Sequence, residues 1–476
     1  MASGSFVGLD IGSSQIKVVE ARGGNGNVDI TAIGIHPTPL DAYDNGVIVN
    51  AQSLGLVIKE LLKQSGVSTK QVVGAATSPA SVVVRVVDLP ATNDTELAEQ
   101  IKWETERQVP FPMSDIVMDY QKIERPEGVT PGQNVEVLLA VAEQHYIDQF
   151  VEVLSVAGLK PKYIDVVPLA SGRSLLDINP NVTGSMGYTV AIVNIGATTT
   201  DIAIFRDKLL AFPRSVPLGG ENFTRAISES LGVDMATAEN YKCNIGEVLF
   251  NQQPQGNSFG GPNSGFSDFS SSGSFMDFGA SPSGPTSQEE ITSGPLGSPS
   301  GRMPFDFSNP TPPPSTPFDF NAGAQDLSTE TAPDMGESFQ VPVQEDESNL
   351  PATVPTDAQH EAIRVQVFNA IAPVLAELVQ EIRRSFNYYQ SKVGDAQVNE
   401  ILLVGGAARL KKLTEFVEAE MGIPTRLANP LENVQVSSKN YSKEYLDEIA
   451  PSLSVSIGLA AYDLMPKPVA GSKKKK

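Results

Sequence analysis

The 476-residue sequence is 40% hydrophobic and 19% charged, with a net charge of -22, which allows two or three domains and a sizeable core. Such an acidic balance argues against nucleic acid as the main partner, because phosphate binding calls for a concentrated basic surface. One cysteine and three scattered histidines, His36, His145 and His360, exclude an intramolecular disulfide and give no metal-ligand spacing. The longest apolar runs fall short of the roughly 20 residues needed to span a bilayer. With no secretion signal at the N-terminus, the expectation is a cytoplasmic protein.

The charge is unevenly distributed. Residues 251–357 hold 14 Asp and Glu against one Arg, a balance of -13 that leaves -9 elsewhere. This stretch is rich in Ser, Gly and Pro and has no apolar period, so it is expected to be a disordered insert. Its phenylalanines recur in acidic frames, FSDF at 266–269, FMDF at 275–278 and FDF at 305–307 and 318–320. Docking motifs and drifted low-complexity repeats both fit that pattern. A surface loop this long costs a fold little in closure free energy.

The ordered residues divide into blocks at about 5–250 and 358–466. Phe6–Asp10, Val18–Ala21 and Val28–Ile35 read as a β-meander, followed by a helix over Ala51–Ser65 and strands at Gln71–Ala76 and Ser81–Val87. After the first lobe's N-terminal part (5–91), the pattern changes at 92–162 to helix (93–107), a VPFP turn, strands near 115–123 and 135–142, and a helix (144–157) closed by Gly158. This is expected to be an inserted α+β subdomain. In 163–250, a connecting helix precedes a second hairpin, Thr189–Ile195 with Asp201–Phe205, and helices around Gly220–Ser230 and 234–242. The second lobe is expected to continue over 358–466 with a long helix to about 391, a strand–glycine–helix unit at 400–420 and a closing helix from near Ser452. A basic tail, 467–476, ends in four lysines.

Three motifs carry chemistry. The first hairpin contains FVGLDIGSSQIKVV (6–19) and the second AIVNIGATTTDIAI (191–204). Glycine and small hydroxyl residues at such turns let backbone N–H groups approach a phosphate closely, so two facing turns, Gly12, Ser13 and Ser14 on one and Gly196, Thr198 and Thr199 on the other, can clamp a polyphosphate. Taken alone, each also fits a hairpin that needs glycine for purely steric reasons. Asp10 and Asp201 would hold Mg²⁺ through its water shell, since Mg²⁺ gives up water reluctantly. Lys17 would neutralise phosphate charge. The third motif, ILLVGGAARL (401–410), runs a buried strand into Gly405 and Gly406.

In this order and spacing the motifs resemble the actin, DnaK-chaperone and sugar-kinase superfamily: phosphate 1 at 8–17, phosphate 2 at 193–201, adenosine at 403–409. The resemblance implies an α/β, actin-like (ribonuclease H-like) two-lobed fold, binding ATP with Mg. It also implies connecting helices at DVVPLAS (165–171) and SVSIGLAA (454–461), ribose and adenine contacts from Glu239 and Lys242, and Arg409 against the adenine face. For Glu239 and Lys242 an ordinary exposed i,i+3 ion pair remains a rival reading. Within the superfamily, the subdomain at 92–162 resembles that of FtsA and PilM, and EQIKWETERQVPFP (99–112) with VLSVAGLKPKYIDVVP (153–168) resembles PilM, a type IV pilus assembly family. That likeness implies a scaffold at the inner-membrane pilus complex, capturing the N-terminal cytoplasmic peptide of PilN beside the inserted subdomain. Self-association is left open, and membrane contact would be indirect or through the lysines. An FtsA-like cell-division filament anchor and a sugar or acetate kinase are the alternatives, the latter lacking a clear acidic base.

Members that hydrolyse ATP efficiently usually open phosphate 2 with an acidic residue and precede the first connecting helix with Glu or Gln. Here those positions are Asn194 and Val167. Neither can act as a general base, and Val167 cannot hydrogen-bond a water. At most a slow ATPase is expected.

Overall fold

Alternating apolar residues build two sheets of the same design. The computed structural model describes residues 4–44, 46–125, 134–178, 187–250, 357–394, 396–438 and 441–465. The expected acidic insert, apart from Asp357, and the expected basic tail lie outside these.

In the first lobe, strand Gly4–Ile11 pairs antiparallel with Gln15–Gly24, which pairs antiparallel with Asn27–Pro37. On its other side Gly4–Ile11 runs parallel to Gln71–Ala76, and that strand parallel to Lys160–Val166. The second lobe repeats this order. Thr189–Ile195, Thr200–Arg206 and Leu209–Val216 form the meander, while Glu400–Val404 and Thr425–Leu427 add in parallel. The helix Ala51–Gln64, capped by Asn50 accepting from the Ser53 N–H, buries Leu54, Ile58 and Leu61 on the first sheet.

On the second sheet lies Asp357–Val393, whose residues from His360 onward are long and apolar enough to cross a membrane by length and composition. Instead, its apolar face, from Val367 and Phe368 to Phe386 and Tyr389, packs into the second lobe's core. One apolar stripe of the helix thus belongs to this lobe's core, with 44% of its most apolar window buried.

Three expected boundaries move. The strand Val82–Pro90 pairs with Asn134–Glu143, which pairs with Ile116–Ile123, so the inserted sheet begins near 82 and not 92. The helix Gln144–Val156 belongs to the first lobe, because Gly55 admits Val156 and Tyr146, Phe150 and Val153 join the Leu54–Ile58 core. Third, the chain leaves the second lobe before its end. Gln435–Val436 adds to the Asn27–Pro37 edge, and the closing helix Ser454–Ala460 packs Ile457 and Ala460 against Val19, Ile30 and Ile33 of the first sheet.

The inserted sheet uses both faces. One is covered by the helix Asp94–Gln108 through Leu97 and Ile101. The other turns Val84, Val86 and Leu138 onto Leu175, Leu176 and Phe205, which cover the outer face of the second lobe's sheet. Lys392, at the end of the long helix, reinforces this contact by donating to the Val86 carbonyl (3.0 Å) and pairing with Asp88 (2.9 Å).

The connecting helices Val167–Gly172 and Ser454–Ala460 cross backbone to backbone. A Cβ on Gly458 would lie 1.8 Å from the Ala170 carbonyl, and one on Gly8 1.9 Å from that of Ser456. Arg173 fastens the crossing, donating to Asp165 and to the Gly458 carbonyl, each at 2.9 Å, with its guanidinium 4.6 Å from the Tyr462 ring centroid. Gly458→Ala should therefore lower stability by about 1–3 kcal/mol through overpacking. Gly24→Ala, where a Cβ meets nothing within 4 Å, should change little. Denaturant midpoints of the two variants check this.

Candidate nucleotide site

Register places the acidic and basic side chains of the first hairpin opposite each other, since Asp10 pairs with Lys17 across the strands. Between them the chain turns tightly: the Gly12 N–H donates to the Gln15 carbonyl at 3.1 Å, and a Cβ on Gly12 would sit 3.1 Å from that oxygen. The second hairpin makes the same turn. There the Gly196 N–H donates to the Thr199 carbonyl at 2.8 Å, with Asn194 opposite Asp201.

The two turns face each other and touch. Ser13 Oγ and Thr198 Oγ1 are 2.9 Å apart, joined by a hydrogen bond that either hydroxyl can donate. Two residues remote in sequence thereby join the turns. Ser14 and Thr199 complete the turns without a side-chain bond of their own among the described residues. Lys17 Nζ lies 3.1 Å from Asp10 Oδ2, both nearly buried, so the lysine expected to face phosphate rests on the aspartate.

Asp201 is partly buried below the second turn. Loss of water around its carboxyl, with the Asp10 charge adding to the effect, pushes its pKa up to about 6, against hydrogen bonds from Ser215 and Asn194 that lower it. Two carboxylates whose charges repel one another suit a bound cation. The donors are the hard oxygens that Mg²⁺ prefers.

Gly405 has φ +95°, and a Cβ there would meet the Ile195 carbonyl at 2.3 Å and Asn194 Oδ1 at 2.7 Å. Only glycine allows the third motif to lie so close to the second turn. Its N–H donates to the Pro451 carbonyl at 2.8 Å, while Gly406 faces open space.

Glu239 and Lys242 form the i,i+3 pair weighed above, at 2.6 Å, but it is not isolated. Lys242 also donates to Thr224 Oγ1 (2.9 Å) and to the Gly220 carbonyl (3.1 Å), and Thr224 donates to Glu239 at 2.5 Å. Burial alone would raise the Glu239 carboxyl, yet the Lys242 and Thr224 hydrogen bonds hold it below its ordinary value. Gly220 in turn donates to the Gly196 carbonyl at 2.9 Å and packs against Ala407, which joins this pair to the second turn and the adenosine motif. Arg409 points elsewhere, into a 2.7 Å ion pair with Glu448.

Several contributors escaped the motif reading. Thr38 holds the first turn, its Oγ1 donating to the Gly12 carbonyl (2.6 Å) and its N–H to that of Ser14 (2.9 Å). Thr77 bonds Tyr43 and Tyr146 beside the same turn, and Thr224 bridges as above. Each acts through a contact distant in sequence, which periodicity does not reveal.

Two lobes of repeated design, closing on paired glycine turns with helices crossing behind them, define an actin-like ATPase fold. Within it, the sequence profile described as type IV pilus assembly protein PilM matches residues 8–247 and 363–463, and the chain belongs to that family. A solved PilM-PilN type IV pilus biogenesis complex resembles it with a TM-score of 0.66 and 24% identity, over 97% of this chain and 98% of that one. The cell division protein FtsA of Streptococcus pneumoniae is 27% identical over 266 residues, covering 52% of this chain and 56% of that protein. FtsA of Bacillus subtilis is 26% identical, covering 52% and 59%. The chain thus spans a little over half the length of these curated relatives.

The raised Asp201 pKa has a definite sign. A carboxyl titrating higher when folded than when unfolded makes stability fall as pH rises from about 4 to about 6. In nucleotide-free protein with chelator, Asp201→Asn should raise stability at pH 7.5 by about 1–2 kcal/mol, discounted for partial exposure. The gain should vanish near pH 4. Melting curves at the two pH values read it directly.

Proposed function

We propose that this pilus assembly protein is an ATP-dependent scaffold in which the nucleotide acts as a conformational ligand, with slow or no hydrolysis. The observation that carries the reading is the Ser13–Thr198 contact, which brings both phosphate-type turns onto one point. Gly12, Ser13 and Ser14 with Gly196, Thr198 and Thr199 would offer donors to the phosphates, and Lys17 would exchange Asp10 for phosphate oxygen. Asp10 and Asp201 would hold Mg²⁺ through water, and the ion would supply positive charge to neutralise the phosphates. Gly405, Gly406 and Ala407, with Glu239 and Lys242 beside Gly220, would receive the nucleoside, and Arg409 would leave Glu448 to cover the base.

Slow hydrolysis is supported by chemistry. Val167 is buried at the start of the connecting helix, and Asn194 stands where an acid would orient water. The protein would bind at the cytoplasmic face of the inner membrane through its partners.

For the partner, the reading is the N-terminal cytoplasmic peptide of a PilN protein. A cavity of about 170 Å³, lined by Thr77, Val82, Val84, Arg85, Val167 and Asp201 among others, lies where the inserted sheet meets both lobes. Its walls come from 76–85, the hinge at 166–168 and the second-lobe residues 201 and 213–215, and it adjoins the 92–162 subdomain in which the groove is expected. Sharing Asp201 with the magnesium position gives peptide and ATP a physical route to influence each other. Partial similarity to FtsA favours a cell-division anchor as the second reading, and a PilN peptide that fails to bind would transfer weight to it.

Coupling of binding energies is reciprocal. Titrating the PilN N-terminal peptide with and without a non-hydrolysable ATP analogue, and the analogue with and without peptide, should show tightening by the same factor, about 5–150-fold. Equal affinities in all four titrations would reduce the nucleotide to a passive structural cofactor.

A further inference from the structure

The helix Asp94–Gln108 buries Leu97, Ile101 and Thr105 against the inserted sheet, and its opposite face carries the chain's single tryptophan. Trp103 is 75% exposed. With Glu96, Glu99 and Glu106 it forms a stripe at spacings that share one helical face. Those three glutamate side chains are exposed and make no ion pair or hydrogen bond among the described residues. Their acidic neighbours differ, since Asp94 is paired with Lys122 and Glu104 with Arg107. Beside Trp103 a shallow pocket of about 660 Å³ is lined by Leu89, Pro90, Gln100 and Glu106 together with Glu104 and Arg107, which neutralise each other in an ion pair. Among the described residues no cation lies over the indole, although Lys162 and Arg173 cover tyrosine rings elsewhere.

We propose that this face is a second docking surface, separate from the nucleotide cleft, for a protein segment that presents arginine beside an aliphatic residue. The guanidinium stacks on the Trp103 ring while Glu99 or Glu106 accepts its N–H groups, and the aliphatic side chain enters against Leu89 and Pro90. Arginine suits the site better than lysine because its planar group can stack and donate at once. The unpaired carboxylates disfavour anionic lipid and nucleic acid, which leaves a cationic peptide as the occupant. Tryptophan and arginine are also the residues that dominate interface energetics.

Because Trp103 is the only tryptophan, its emission in the full-length protein reports this face. The probes are a synthetic peptide of alternating arginine and leucine and the same peptide with lysine for arginine. The arginine peptide should change the emission saturably, with the lysine peptide about fivefold weaker. Glu99→Gln/Glu106→Gln should weaken the arginine peptide by about fivefold, with the melting temperature unchanged because both side chains are exposed. Trp103→Phe, followed by calorimetry, should retain more affinity than Trp103→Ala. Equal affinity for the two peptides, indifference to the glutamine substitutions, or no emission change would overturn the assignment. An emission that shifts with protein concentration alone would give the surface to a second copy of the chain and overturn it as well.

Discussion

Everything in this molecule hangs on the contact between two backbones at the crossing of the connecting helices. Gly458 leaves no room for a methyl group against Ala170 of the other connecting helix, and Gly8 of the first strand leaves none against Ser456, so the two helices and the first sheet meet backbone to backbone. That approach fixes the lobes at a spacing where Ser13 and Thr198 come within 2.9 Å. Arg173, bound to Asp165 and the Gly458 carbonyl, turns the crossing into a hinge with a fixed pin. A looser hinge would separate the turns.

The facing turns are electrostatically incomplete by themselves. Lys17 spends its charge on Asp10, and burial, with that same aspartate's charge, raises the Asp201 carboxyl to about 6. A magnesium-bound polyphosphate would bring one cation and several anionic oxygens, letting each group exchange its present partner for a better one. On the proposed reading such holding would need no general base, in keeping with Asn194 and Val167. The inserted sheet adds a third party. It stems from the first lobe but rests on the second through Val84, Val86 and Leu138, so any change in lobe spacing must shear or carry it.

The turns were legible in the sequence because glycine and hydroxyl residues there answer a local demand, close backbone approach, that the strands on either side announce by their apolar period. The same holds for the meanders and for most helices. Boundaries were less legible where the pattern is indifferent to the partner. Val82–Pro90 alternates the same way whether it joins the first lobe's sheet or its own, and only the pairing with Asn134–Glu143 decides. Ser454–Ala460 is buried all round, so its composition declared burial without saying against which lobe. Thr38, Thr77 and Thr224 were invisible for a related reason: a threonine hydroxyl becomes informative only when the carbonyl or phenol it meets is known.

Calorimetric titration of Mg-ATP into the full-length protein tests most directly whether the facing turns form a nucleotide clamp. Single-site binding is expected, weakened by chelator and by about 1.5–3 kcal/mol in Lys17→Ala, the worth of a charge-assisted contact. Absence of heat with both ATP and ADP in magnesium, in a protein that melts cooperatively, would contradict it.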